Sequence, residues 1–163
     1  MERVDKILVH PEFQSYMHRI EKQERTRVFC LHGIEHSLDV ARIGYIMSLE
    51  QGLHFRQDVI YAMALLHDIG RCEEYASGKS HHEAGAELAR PILLACGYTE
   101  HECAEICDAI GRHKAPSEQA RSLATLLYDA DKQSRNCFDC PVQEQCYWSE
   151  EKKNHCLLYT SDA

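Results

Sequence analysis

MALLHDIGRCEEY, residues 63–75, joins an apolar run to a histidine, an aspartate and a glycine. The apolar run is typical of a buried helix, and consecutive helical residues point about 100° apart. Because Gly70 lets the chain leave helical geometry, His67 and Asp68 can face one point. An imidazole and a carboxylate together suit iron, manganese or zinc. The dipeptide alone also fits an ordinary helix end, in which His67 suits the helix dipole and Asp68 caps the next turn.

The composition is that of an ordinary globular protein, and it limits the classes of function. A chain of 163 residues predicts one domain. A formal net charge of -8 makes a general grip on a nucleic-acid backbone unfavourable. The sequence holds no apolar run as long as the roughly 20 residues of a membrane span, and MERVDKILVH lacks the apolar core of a signal peptide, so a cytoplasmic protein is expected. Its nine cysteines are then expected to be reduced thiols or metal ligands.

The first half of the chain has the periodicity of helices. Residues 4–24 predict a helix pair or one bent helix, broken at Pro11. Asp58 is expected to cap a central helix that runs through Leu66 and is apolar on nearly all sides. Between these two elements an apolar stripe at helical spacing predicts another helix, ended by EQG. The stripe comprises Ile34, Leu38, Ala41, Tyr45 and Leu49.

The second half continues in the same way. Ser80 with Glu83, and Thr99 with Glu102, form two S/T-x-x-E capping boxes that predict helix starts. In the first of these helices Pro91 predicts a kink and Gly97 the end. Ser117 is expected to cap a last helix that reaches about Asp131. With no strand-like alternation, the sequence predicts an all-α compact bundle over residues 1–135, and a Cys-rich appendage, residues 136–163, packed on the same domain.

Other acidic and imidazole side chains lie at helix ends. His32 and His36 are four residues apart, so they share a face if their helix extends that far back. Asp129 and Asp131 end the helix rich in leucine. Each of these helices therefore brings a metal-binding side chain to one end of an apolar stripe, which is how a helical bundle builds a metal site in its core.

Three segments, HSLDVA, ALLHDIG and LYDADK, occur in the order H…HD…D within residues 28–135. In this order they resemble the HD superfamily of metal-dependent phosphohydrolases. The resemblance implies a compact HD-domain-like helical bundle that holds a divalent ion. The residues that would hold the first ion are His36, His67, Asp68 and Asp131. Asp129 is the alternative carboxylate, and Asp131 is preferred because the family's ligand usually follows the alanine of DAD.

A second ion is implied by SHHEAGAELA and AIGRHK, which are similar to segments of HD proteins with two metals. His81 and His113 would then be ligands, with His82 left open as the alternative to His81. Two ions about 3.5–4 Å apart could share Asp68 as a bridge. The expected cofactor is one or two divalent ions of iron, manganese, zinc, nickel or magnesium.

The resemblance implies a phosphohydrolase that uses metal-activated water on a phosphomonoester or phosphodiester. Asp68, Arg71 and Lys114 are the expected catalytic residues, and Lys79 is a further cation that could clamp phosphate. The expected partner is a small phosphorylated substrate, a nucleotide above all, with nucleic acid and membrane not expected and a homodimer left open. Two alternatives remain: a di-iron oxygenase of the same family, and a non-catalytic nucleotide or redox sensor.

The Cys-rich segment NCFDCPVQEQC has the spacing C-x2-C-x5-C. It is similar to the three-Cys segments of several iron–sulfur domains, and zinc is the alternative occupant. The cysteines assigned to this second metal or cluster site are Cys137, Cys140, Cys146 and Cys156. For the fourth position Cys30 and Cys72 remain alternatives to Cys156.

Overall fold

The computed structural model describes residues 1–114 and 121–155. Eight α-helices follow one another there, and no strand occurs within those two ranges. The helices are α1 Glu2–Leu8, α2 Pro11–Gln23, α3 Ile34–Glu50, α4 Gln57–Leu66, α5 Arg71–Ser77, α6 His81–Ala95, α7 Glu100–Arg112 and α8 Leu123–Gln133. Three short 3-10 helices follow, at Cys137–Asp139, Gln143–Gln145 and Glu150–Lys152. The prediction of an all-helical bundle is confirmed.

Helix α4 is the centre of the bundle. Seven of its ten residues are buried, from Val59 to Leu66. The side chains of Ile60, Met63 and Leu66 are almost completely removed from solvent, and burial of each contributes about 1.5–3 kcal/mol to folding. Helices α3 and α7 pack against α4, and α8 lies against α3 and α7. Within the described ranges, no helix has the length and hydropathy needed to cross a membrane.

Arg3 ties the first helix to the rest of the bundle. Its guanidinium lies 2.6 Å from Asp58 Oδ2 and 2.8 Å from Glu102 Oε2. It also stacks over the ring of Tyr98, 3.9 Å from the centroid. Asp58 is therefore a partner for Arg3 and not the cap that the sequence suggested, because α4 begins at Gln57 and its N-cap is Arg56.

The buried face of α3 differs from the predicted stripe. Its buried positions are His36, Ser37, Val40, Ala41, Gly44, Met47 and Ser48. Ile34 and Leu49, by contrast, are 39% and 64% exposed. Leu38 and Tyr45 of the predicted stripe are partly buried against the core. Small residues make up much of this inner face, so α3 approaches α4 and α8 closely. At Gly44, for example, an added Cβ would be 3.4 Å from Ile60.

The two predicted capping boxes have different outcomes. The box of Thr99 and Glu102 is present, with both reciprocal hydrogen bonds. Ser80 is the N-cap of α6 but accepts no capping hydrogen bond, because its hydroxyl faces Nδ1 of His82 at 3.2 Å. The last helix, α8, begins at Leu123 and is capped by Ser122. The predicted cap Ser117 lies outside the described residues.

Three further helix predictions concern Pro11, Pro91 and Gly97. Residues 2–23 form a helix pair, and Pro11 is the first residue of its second helix. Pro91 lies inside α6, which continues to Ala95, and Gly97 follows with φ +89°. The left-handed conformation of Gly97 is typical of a residue just beyond a helix end.

Residues 136–155 lie against the helices. Asn154 donates a hydrogen bond from Nδ2 to the carbonyl of Gln133 (2.8 Å). The ring of Tyr147 meets that of Phe29 edge-on, with centroids 6.0 Å apart. The division of the chain into residues 1–135 and 136–163 stays a prediction.

Candidate metal centre

The site is built around the turn that follows α4. Helix α4 ends at Leu66, and His67 to Gly70 turn before α5 begins at Arg71. His67 is fully buried and Asp68 is 3% exposed. Nε2 of His67 lies 3.1 Å from Oδ2 of Asp68. The turn therefore brings the two side chains together although they are adjacent in sequence.

Gly70 has a different role from the one the sequence suggested. Its φ of -66° and ψ of -12° are ordinary helical values that any residue adopts. What requires glycine is space: an added Cβ would lie 2.1 Å from the carbonyl oxygen of His81 and 2.4 Å from the backbone nitrogen of Gly85. Absence of a side chain lets α6 cross directly over the turn. This crossing places His81 and His82 beside Asp68.

The first group of ligand atoms comes from α3, the turn and α8. Nε2 of His36 lies 3.6 Å from Oδ2 of Asp68 and 3.2 Å from Oδ1 of Asp131. Nε2 of His67 is 4.0 Å from the same Asp131 oxygen. All four side chains are buried. The structure thus brings together the four residues named for the first ion.

The second group comes from α6 and the end of α7. His81, His82 and His113 each offer a ring nitrogen, and these nitrogens lie within 4.8 Å of one another. Oδ1 of Asp68 is 3.9 Å from Nε2 of His81 and 4.0 Å from Nε2 of His113. One oxygen of Asp68 therefore faces each group, which is the arrangement of a shared carboxylate. His82 belongs to the group as fully as His81 does.

Each of these five imidazoles has its Nδ1 beside a neighbouring oxygen. His67 and His113 face the main-chain carbonyls of Ala64 (2.7 Å) and Ile110 (2.6 Å). The remaining contacts are His81 to Glu74 (2.9 Å), and His36 and His82 to the hydroxyls of Ser134 and Ser80 (3.2 Å each). Contacts of this kind fix the orientation of a ring that binds a metal. They leave Nε2 for another partner, which for His36 in this structure is Nη2 of Arg135 at 2.8 Å.

The charge state of the carboxylates suits cation binding. Burial alone would raise the pKa of Asp68, but the His67 ring and the Arg71 guanidinium lower it well below its usual range. Burial also opposes ionisation of Asp131, whose pKa is nevertheless lowered by His36, Arg135 and Lys132. Both groups are therefore carboxylates at neutral pH, as metal binding requires.

The second histidine group is held neutral. Burial, reinforced by repulsion from His67, lowers the pKa of His113 to about 3. Burial and the neighbouring His81 ring lower the pKa of His82 to about 4, and burial and Arg71 lower that of His81. A neutral imidazole keeps a free lone pair, so these three rings are in the form that binds a metal.

The residues present fit a divalent ion. Nε2 of His67 is a buried nitrogen with no hydrogen-bond partner among the described residues. Leaving such a group unpaired is unfavourable unless a ligand satisfies it. The donor set of imidazoles and carboxylates suits iron, manganese, nickel or zinc better than calcium. His36, His67, Asp68 and Asp131 would hold one ion, and the second histidine group another.

A cavity of about 280 Å³ opens onto the site, and its lining is strongly cationic. Besides the histidines it is lined by Arg27, Arg71, Lys114, Lys132, Arg135 and Lys152, with Asp131 as its carboxylate. Phe29, Tyr147 and Trp148 supply aromatic surface on one side. In a chain with a net charge of -8, this concentration of positive charge creates a local field that favours an anion.

The three cationic side chains predicted to act on phosphate lie in different environments. Arg71 donates from Nε to Oδ1 of Asp68 at 2.8 Å and also lines the cavity, so it fixes the central carboxylate. Lys114 lines the cavity. Lys79 instead pairs with Glu87 on the surface at 2.5 Å. The suggestion that Lys79 clamps phosphate is therefore not supported by its position.

Asp129 and His32 are the two residues that the sequence left as alternatives at the site. Asp129 is about half-buried, and burial raises its pKa. Asp131 has the contacts described above. His32 precedes α3 and is buried, with Nδ1 2.5 Å from Oε1 of Glu24. Its ring centroid lies 6.0 Å from that of His36.

Several residues at the site were missed in the sequence. Arg135 donates from Nη2 to Nε2 of His36 (2.8 Å) and lies 3.4 Å from Asp131. Lys132 lies 2.5 Å from Oδ2 of Asp131. The spacing of Arg135, four residues after Asp131 on a helical path, was the available signal. Glu24 carried no such signal, because its contacts with His32 and Tyr75 depend on the tertiary fold.

The cysteines of the appendage also lie together. Cys137, Cys140 and Cys146 line one cavity, and Cys30 lines it as well. Cys156 lies outside the described residues. Cys72 is buried on α5.

The protein is a helical bundle, and its buried His/Asp groups have the features of an HD-type metal site. Residues 33–136 match the family model described as HD domain. The chain belongs to the HD domain family.

Two similar proteins can be aligned with most of this chain, one by sequence and one by structure. A protein of Clostridium beijerinckii with the name "Uncharacterized protein" is 38% identical over 98% of this chain and 100% of its own length. The crystal structure of a predicted HD superfamily hydrolase from an uncultured Thermotogales bacterium has a TM-score of 0.62 and 23% identity. It covers 88% of this chain and 82% of that chain, which shows a common fold.

Ribonuclease Y sequences are also similar. That of Oceanobacillus iheyensis is 30% identical over 125 residues, or 76% of this chain. This region is 21% of the ribonuclease, so the chain spans about a fifth of that enzyme's length.

Proposed function

We propose that the protein is a metal-dependent phosphohydrolase that cleaves a phosphomonoester or phosphodiester bond of a small phosphorylated molecule, with a nucleotide as the substrate class. The proposal rests on one observation: the second histidine group and Asp131 line a cavity that six lysine and arginine side chains also line. The imidazoles and the carboxylate suit divalent ions, and the cationic side chains suit a phosphate. Family membership supports the same reaction class.

A divalent ion held by these ligands supplies Lewis-acid activation of water and neutralises charge on a phosphoryl group. The protein's own residues contribute orientation and charge. Arg71 donates the hydrogen bond that holds Asp68 in place, and the carbonyl of Ala64, beside Nδ1 of His67, fixes the His67 ring. Lys114, within reach of the same cavity, offers an ammonium to the phosphoryl oxygens, where negative charge must be stabilised in the transition state.

The size and walls of the cavity favour a nucleotide over a polymer. A volume of about 280 Å³ lies at the lower end of ligand pockets. Phe29 and Trp148 offer flat surfaces on which a base could stack. The name ribonuclease given to similar proteins makes RNA phosphodiesters a class to test, although the net charge of -8 disfavours a long nucleic acid.

The test is a turnover assay with metal-loaded protein. The substrates are a generic phosphomonoester, a generic phosphodiester, nucleoside mono-, di- and triphosphates, a dinucleoside polyphosphate and a short RNA, each with Mn²⁺ or anaerobic Fe²⁺. Metal-dependent release of phosphate or a nucleoside product supports the proposal. Oxygen uptake by the iron form without phosphoester cleavage would favour an oxygenase, and nucleotide binding without turnover a sensor. Either result would overturn the proposal.

Substitutions then locate the reaction at this site. His67→Ala and Asp68→Ala should each reduce kcat by at least about 10²-fold, because each removes a ligand at the centre of the cluster. Asp131→Asn should have a similar effect. Asp129→Asn is the matched control, two residues away on the same helix, and should leave turnover near wild type. Wild-type activity in His67→Ala would show that the centre has been assigned wrongly.

A further inference from the structure

A second concentration of metal-binding side chains lies beside the catalytic cavity. Cys30, Cys137, Cys140 and Cys146 all line a separate cavity of about 230 Å³. All four are free thiols. Cys30 comes from the segment between α2 and α3, and the other three come from the appendage, more than 100 residues later in the chain. The fold therefore brings a fourth cysteine to the three that the spacing C-x2-C-x5-C had grouped.

The appendage has little else to hold it in place. Among residues 136–155, Cys137 is the one buried residue. Its regular structure consists of three 3-10 helices of three residues each. A segment with so little apolar core is usually fixed by a disulfide or a metal, and no disulfide joins the described cysteines. A bound metal group would supply the missing stabilisation.

We propose that Cys30, Cys137, Cys140 and Cys146 bind a [4Fe–4S] cluster, with Cys30 as the fourth ligand. This assignment is independent of the proposed hydrolase activity. It gives a physical role to the four thiols and to the cavity between them, neither of which the His/Asp centre uses. Soft thiolates are the ligands that iron–sulfur clusters take in proteins.

The spacing of the sulfurs favours a cluster over a single zinc ion. Zinc–sulfur bonds of about 2.3 Å in a tetrahedron place the sulfurs about 3.8 Å apart. Among the described residues, however, the groups of three or more ligand atoms within 4.8 Å of one another consist of histidines and Asp68, and none contains a cysteine. In a [4Fe–4S] cluster each thiolate binds a different iron, so its sulfurs need not lie within 4.8 Å of one another, and they surround a central volume.

The walls of the cavity also suit an anionic cluster. Arg135 and Lys153 both line it and carry positive charge. Nε of Arg135 is buried and has no hydrogen-bond partner among the described residues. Because Arg135 lines the same cavity as the thiols, a bound cluster would give this N–H group an acceptor, and hydrogen bonds to sulfur are among the interactions that tune such clusters.

The site adjoins the substrate cavity. Cys30, Arg135, Cys146 and Trp148 line both cavities. Cys146 is followed directly by Tyr147 and Trp148, the aromatic wall over the His/Asp centre. A cluster held by Cys146 therefore fixes the position of this wall.

The experiment uses the full chain purified without air. Iron, zinc and acid-labile sulfide are counted per chain, and the visible absorption and reduced-state electron paramagnetic resonance spectra are recorded. Sulfide is the decisive count, because iron in the His/Asp centre brings none. We expect about four sulfides per chain and about four irons beyond those of the His/Asp centre.

Single substitutions test the ligands. Cys30→Ser and Cys140→Ser should each lose most of the sulfide and the visible absorption. Cys107→Ser, which changes a half-buried thiol on α7, is the matched control and should retain both. Circular dichroism should show that the helices remain in every variant, since Cys30, Cys107 and Cys140 are each only partly buried.

Two outcomes would overturn the proposal. Wild-type protein with one zinc per chain and no sulfide would exclude the cluster, whatever the variants do. Full sulfide in Cys30→Ser, together with its loss in Cys156→Ser, would show that the ligand set is wrong.

Discussion

Replacement of Gly70 by alanine is the sharpest test of how the two histidine groups are brought together. The added Cβ would lie 2.1 Å from the carbonyl oxygen of His81 and 2.4 Å from the nitrogen of Gly85. Both are backbone atoms of α6, so no side chain can rotate to make room. An ordinary contact of about 3.4 Å requires the helix to move by roughly 1 Å away from the turn that carries Asp68.

The expected cost follows from this displacement. Overpacking a well-packed site costs typically 1–3 kcal/mol, and a clash with rigid backbone lies at the upper end, about 3 kcal/mol. For a protein of this size that lowers Tm by roughly 6–12 °C. Function should suffer more, because a 1 Å misplacement at a reacting centre can reduce the rate about 10²-fold. His81 and His82 move while His36 and His67 stay, so the ion held by the second group should be lost first.

The assay combines thermal unfolding, metal counting and turnover. Gly111→Ala is the matched control: a Cβ there meets nothing within 4 Å and lies inside α7. It should stabilise the protein by about 0.5–1 kcal/mol, because alanine is the better helix former. The two alanines should therefore shift Tm in opposite directions. A Gly70→Ala protein with wild-type Tm and full metal content would refute the close-approach explanation.

Two further predictions follow from the cavity and from the Glu24 contacts. Lys114→Ala should lower kcat/KM about tenfold or more by removing positive charge from the cavity beside the second histidine group. Lys79→Ala, on the surface with Glu87, should change kcat/KM less than twofold, and equal effects of the two substitutions would contradict the proposal that phosphate binds in this cavity. Burial opposes ionisation of Glu24, but hydrogen bonds from His32 and Tyr75 lower the pKa of its carboxyl from 4.5 to about 2. The stability that the ionised carboxylate contributes is therefore full above about pH 4.5 and is lost as the pH falls toward 2. Glu24→Gln should thus cost about 2 kcal/mol at pH 7, measured by urea unfolding, and the difference from wild type should shrink below pH 4.5; a gap that is constant between pH 7 and pH 3 would contradict this explanation.

Local sequence signals predicted most of the fold. The central helix through Leu66 was predictable because its residues are apolar on nearly all sides. The start of α7 was predictable because Thr99 and Glu102 are close in sequence and satisfy each other. Each of these signals depends on a few residues that are close in sequence, and only weakly on the tertiary fold.

The failures have a common cause, which is competition from tertiary contacts. Ser80 could not be recognised as a non-capping hydroxyl, because its partner His82 becomes available only when the site assembles. Asp58 resembled a cap, but Arg3, 55 residues earlier, takes its carboxylate. The stripe predicted for α3 is buried or partly buried in its middle and exposed at Ile34 and Leu49, because α3 meets α4 most closely near the small residue Gly44.

The candidate site was predictable in part for the same reason. His67 and Asp68 are adjacent, and the order of the three motifs carried the resemblance. Glu24 and Cys30 have no such local pattern. Their places depend on which loop closes over which helix, and that information lies in the packing of the whole chain.

The contacts at Nδ1 of the five histidines have a thermodynamic consequence. Each ring is already restrained in the folded chain, by a carbonyl for His67 and His113 and by a side-chain oxygen for the others. Little rotational entropy remains to be lost when an ion arrives. Selectivity among divalent ions then depends mainly on dehydration and preferred coordination number, and the pocket should discriminate poorly between metals of equal radius and similar softness.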